Sequence, residues 1–79
     1  MKQALDLIFP KNLIQEPVIY QMGKECPVVF NIRRAKVTEK VGEIVLELEG
    51  SPSDLEHALA WLKTRGIKVD PITHDTFES

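Results

Sequence analysis

The chain has 79 residues with a formal net charge of −2 and a single cysteine. It is 43% hydrophobic and 28% charged, the balance of one small folded domain rather than a disordered segment. The weakly acidic charge argues against a sequence-independent grip on nucleic acid, which needs a basic surface. No run approaches the roughly 20 apolar residues of a membrane span, and Asp6 interrupts any apolar signal region at the N-terminus. Cys26 has no partner for an internal disulfide or a multi-cysteine metal site, so a reducing cytoplasm is expected.

Leu5, Leu7 and Phe9 alternate with Asp6 and Ile8, the period of a strand ending at Pro10. Leu13 to Gln15 reads as a connection. Val18, Ile19 and Met22 have helical spacing, with Pro17 suited to the first turn and Glu16 to the positive end of the dipole. The spacing predicts a helix from about Glu16 to Cys26, ended by Pro27. Val28 to Val37 is the second strand, with a bulge expected near Arg33 and Arg34 that keeps two adjacent guanidinium groups out of the core. Thr38 to Gly42 forms a hairpin loop.

In the third strand Ile44, Leu46 and Leu48 share one face, and Val45, Glu47 and Glu49 the other; Gly50 ends it. Ser51-Pro52-Ser53-Asp54 is a strong helix start, with Ser51 as N-cap and Asp54 three residues on. Leu55, Ala58, Leu59 and Leu62 form the apolar stripe of a helix over Pro52–Arg65, and Gly66 is the natural C-terminal stop. Ile67 to Ile72 is a fourth strand, placed at a sheet edge because Pro71 lacks a backbone donor. The order β-α-β-β-α-β predicts an α+β, ferredoxin-like sandwich: a four-stranded antiparallel sheet with two helices on one face. The core spans about residues 4–72, and 73–79 read as a tail.

These segments together resemble the NIL domain, a family named for an Asn-Ile-Leu motif in its second strand. Carrying the resemblance are Glu16-Pro17-Val18-Ile19, Val28-Val29-Phe30-Asn31-Ile32, Leu46-Glu47-Leu48-Glu49-Gly50, Ala60-Trp61-Leu62 and Gly66-Ile67-Lys68-Val69. The resemblance spans roughly Leu5 to Ile72. It implies one of two contexts: the regulatory domain of methionine-importer ATPases, which binds methionine, or an N-terminal domain of small ferredoxins. The sequence shows neither an ATPase module nor a cysteine-rich cluster motif, so a stand-alone domain is expected. It also departs from the family's name by carrying Arg33 in place of leucine.

The resemblance and the residue chemistry place the candidate ligand site at Asn31, Ile32 and Arg33. Arg33 offers a bidentate fork for a carboxylate and Asn31 a polar anchor. The alternative is that Arg33 and Arg34 pair with Glu47 or Glu49 on the neighbouring strand. Cys26 reads as a small buried apolar group, His57 as solvent-facing, His74 as part of the tail, and Trp61 as packing or interface. Asp6, Glu47, Glu49 and Asp70 are expected together on the sheet face that the helices leave open, without the dense oxygen spacing of a metal site. No nucleophile–base set and no phosphate loop is visible.

The expectation is a non-catalytic regulatory domain with no cofactor and no metal. It binds methionine or a related sulfur-containing amino acid and forms a homodimer through the sheet. The alternative is an interaction module that docks onto a ferredoxin, a transporter or an enzyme of sulfur metabolism.

Overall fold

The computed structural model describes residues 1–72. Strand β1 (Lys2–Phe9) leads through a 3-10 turn at Lys11–Leu13 into helix α1 (Val18–Glu25). Strands β2 (Val29–Val37) and β3 (Gly42–Glu49) form the hairpin, followed by helix α2 (Pro52–Thr64) and strand β4 (Lys68–Ile72). The sheet order is β2-β3-β1-β4, and all three strand pairs are antiparallel. This is the expected βαββαβ arrangement, with β2 and β4 at the two edges.

Alternation sorts the strands into two faces. On the helix side, Leu5 and Leu7 lie opposite Leu46 and Ile44, and Leu48 follows. Leu5, Leu7, Leu46 and Leu48 are completely buried there, against Val18 and Met22 of α1 and Leu55, Ala58 and Leu62 of α2. Cys26 closes this core at the end of α1.

Two local readings shift. Helix α1 begins at Val18, not Glu16, and Pro17 is its N-cap (φ −79°, ψ 62°) rather than its first residue. The reason is the proline itself. Its ring crowds the residue before it out of helical space, so Glu16 cannot open the helix. The same rule acts at the other end: Cys26, before Pro27, is extended (φ −121°, ψ 133°). The connection into α1 holds a 3-10 turn whose Leu13 is buried.

Helix α2 starts as its sequence indicates. The Asp54 amide donates to Ser51 Oγ at 3.1 Å, and Pro52 occupies the first turn, where no amide donor is needed. The helix closes at Arg65, and Gly66 takes φ +93°, a conformation that favours glycine. In the hairpin loop the Thr38 amide donates to the Val41 carbonyl at 2.7 Å, while Thr38 Oγ1 accepts from the amides of Lys40 and Val41.

Candidate functional site

Strand β2 carries the polar residues singled out above. Asn31 lies opposite Glu47, and Ile32 opposite Leu46. The register then slips between Ile32 and Arg34, so that Arg34 faces Val45. Arg33 is the extra residue of this bulge, and its Nη2 reaches Glu47 Oε2 at 3.4 Å. The structure thus brings Asn31 and Arg33 to the open face of the sheet and leaves Ile32 on the helix side. A strand's alternation makes that division unavoidable for neighbouring residues. The exposed Arg33–Glu47 pair is the cross-strand pairing of the alternative reading.

The open face holds a second cluster. Asp6 sits between Asp70 on β4 and Val45 on β3, with Glu43 on the diagonal. Burial, first, holds the Asp6 carboxyl above the usual aspartate range. Glu43 adds to this as a hydrogen-bond partner and as a like charge, and Asp70 as a further like charge, while Arg34 opposes them. The hydrogen bond between two carboxyl groups exists only when one of them is protonated. Oδ1 of Asp6 is buried without a hydrogen-bond partner among the described residues. Val45 is buried on this face, while Val29 is 67% exposed.

On the helix side, α1 is too short to cover β2. It meets the strand where Gly23 lets the Phe30 ring approach closely. Beyond that contact Ile32, Ala35 and Val37 form an exposed row. Where this row reaches the start of β3, an apolar groove of about 140 Å³ opens between Ile14, Val18, Ile19, Val37 and Ile44, with Glu16 at its rim. Glu16 Oε1 accepts from Arg65 Nη2 at 3.2 Å, so a carboxylate and a guanidinium stand together beside the groove. Sequence reasoning missed this groove. Its lining comes from β1, the connection, α1, β2 and β3, and no short motif records their convergence.

The NIL domain family model matches residues 3–71. The chain belongs to the NIL domain family. In three dimensions this NIL domain is similar to the C-terminal domain of an ABC transporter ATP-binding protein from Enterococcus faecalis, with a TM-score of 0.78 and 18% sequence identity. The likeness covers 92% of this chain and 86% of that one. No curated protein matches the chain.

The remaining candidates fall into ordinary surroundings. Cys26 is 1% exposed, and burial pushes its thiol pKa up, with Glu25 and Asp54 adding negative charge nearby. Such a thiol is a poor nucleophile. His57 is exposed on α2, and His74 lies outside the described residues. Trp61 packs against the core with the Arg65 guanidinium 5.0 Å from its ring centre, within cation–π range. Among the described residues no three histidine, cysteine or carboxylate groups gather to hold a metal. No helix among them is long and apolar enough to cross a membrane.

Proposed function

We propose that this NIL domain is a small non-catalytic regulatory domain of the cytoplasm that binds methionine or a related sulfur-containing amino acid. The observation that carries the reading is the apolar groove with the Glu16–Arg65 pair at its rim. A thioether side chain is polarizable and flexible and suits an irregular apolar slot. The ligand's ammonium would meet Glu16 and its carboxylate Arg65, a division of charge that matches a zwitterion. The proposed ligand position is therefore this groove rather than the Asn31-Ile32-Arg33 stretch, whose side chains diverge to opposite faces.

Titration calorimetry with methionine, homocysteine and cysteine tests the reading. Methionine should bind best, because its side chain is the most apolar of the three. Val37 is 57% exposed, so Val37→Trp should crowd the groove mouth without unfolding the domain. Loss of binding in that variant and retention in Asn31→Ala are expected. No heat with any of the three at millimolar concentration refutes ligand sensing.

The proposal includes a homodimer through the open face of the sheet, with Asn31 and Arg33 at the interface. Self-association would stabilise so small a domain by mass action. Light scattering that returns 9.0 kDa across a concentration series removes it. A second reading, an interaction module docking on an enzyme, transporter or redox protein, is favoured by the exposure of all nine residues of β2.

A further inference from the structure

Among the described residues β2 pairs with β3 alone, and its outer edge forms the rim of the sheet. Two rows of side chains flank that edge. On the helix side stand Phe30, Ile32, Ala35 and Val37; on the open side stand Asn31, Arg34 and Lys36, with Arg33 swung toward Glu47 at the bulge. We propose that this edge accepts an extended acidic segment of a partner protein, in which apolar residues alternate with carboxylates, as an added fifth strand. The backbone of β2 would supply the ladder of hydrogen bonds, and the two rows would select the sequence. This deepens the interaction reading and is independent of the groove.

Charge decides which occupant fits. A second copy of the chain is the obvious competitor. A full-length antiparallel pairing of β2 with itself must keep apolar row on apolar row. The bulge permits this in one register: Phe30 opposite the other copy's Val37, and Ile32 opposite its Ala35. That register sets Arg33 against the other copy's Arg34, and two-fold symmetry repeats the clash. Like charges directly opposite are destabilising. Carboxylates in those places convert the same geometry into attraction. Glu47 of β3 already draws Arg33 inward at 3.4 Å, so the cations that a partner's carboxylates would meet along this row are Arg34 and Lys36.

Cations and a bulge are also the ordinary guards of an exposed edge. A guarded edge, however, gains nothing from an uncovered apolar row beside it. Here Phe30, Ile32 and Val37 are 37%, 47% and 57% exposed along one side. The cations therefore exclude the chain's own strand while leaving the row open to a strand of opposite charge.

The test uses three short labelled peptides, alternating valine with glutamate, with glutamine or with lysine. Fluorescence polarisation reads affinity, and amide hydrogen exchange reads position. The glutamate peptide should bind roughly tenfold or more tightly than the glutamine peptide. The lysine peptide should not bind, and added salt should erase the difference. Protection should appear in β2 and not in β4. The double substitution of Arg34→Glu and Lys36→Glu, at exposed positions, should reverse the preference toward lysine. Equal binding of the three peptides at β2 would overturn the charge selection while keeping an interaction edge. Absence of any β2 protection would remove both. Protection that rises with protein concentration alone would make a second copy the occupant and overturn the proposal.

Discussion

Substituting Gly23→Ala sets two effects of known size against each other. Alanine is favoured over glycine by about 0.8–1 kcal/mol in a helix interior, and the benefit is smaller near the C-terminal end, where Gly23 lies. Against it stands the Phe30 ring. A Cβ at this position would lie 3.3 Å from Phe30 Cε1 and 3.9 Å from Cδ1, while carbon atoms prefer about 3.5–4.0 Å. Overpacking a closed core costs about 1–3 kcal/mol. Phe30 is not in a closed core: it is 37% exposed on an edge strand, so its ring can shift by a few tenths of an ångström. The expected net is a gain of about 0.5 kcal/mol, since the propensity term then outweighs the crowding. That corresponds to a rise of roughly 2–4 °C in Tm for a domain of this size. Urea and thermal unfolding followed by circular dichroism measure it. A loss above about 1 kcal/mol would mean that the ring is pinned. Repeating the substitution in a Phe30→Leu background separates the causes, because crowding by the ring disappears there and a backbone effect does not.

Leu46→Ala, at a fully buried position between β1 and β2, should cost about 2–5 kcal/mol. That is a large part of the roughly 4–12 kcal/mol expected for a chain this long, and it should lower the urea midpoint sharply. Gly66→Ala should cost about 1–2 kcal/mol by equilibrium unfolding; nothing lies within 4 Å of the added carbon, so the effect belongs to φ +93° alone. Arg33→Ala should change stability by less than about 1 kcal/mol and lose even that in high salt, because its pair with Glu47 is exposed. Asp6→Asn should stabilise the domain near neutral pH. With the folded pKa raised, the native state binds the Asp6 proton more tightly, so the favourable contribution is present below the unfolded pKa and is lost as pH rises through the folded one. The advantage of Asn over Asp should therefore shrink on acidification; a difference independent of pH would refute the cause.

The fold was legible because its signals are local and agree with one another. The alternation of Leu5, Leu7 and Phe9, the cap at Ser51 and the stop at Gly66 each act within a few residues. The bulge at Arg33 was legible too, since two adjacent guanidinium groups in one strand conflict with a buried neighbour. Helix α1 starts at Val18, where the helical spacing itself begins; the start at Glu16 rested on the fit of Pro17 to a first turn and of Glu16 to the dipole, against the constraint that Pro17 places on Glu16. The site was harder for a different reason. Asn31, Ile32 and Arg33 are adjacent in the chain, and adjacency in a strand separates side chains. The groove assembles Ile14, Ile19, Val37 and Ile44 from separate elements, and the short reach of α1 decides that it stays open.

The antiparallel pairing of β1 with β4 sets Ala4 beside Ile72. The first and last strands thus enter and leave the fold side by side, β1 as an inner strand and β4 as the edge opposite β2. Joining these two points by a short bridge and opening the chain at the Thr38–Val41 turn should give a circular permutant with the same core. The same geometry bears on fusion. A protein attached before β1 leaves the fold from an inner strand, with β3 alone between it and β2. Lys2 lies opposite Glu49 and Glu49 opposite Val29, so a host tethered before β1 begins one strand from the start of β2, and its linker must lead away from that end for an added strand to dock.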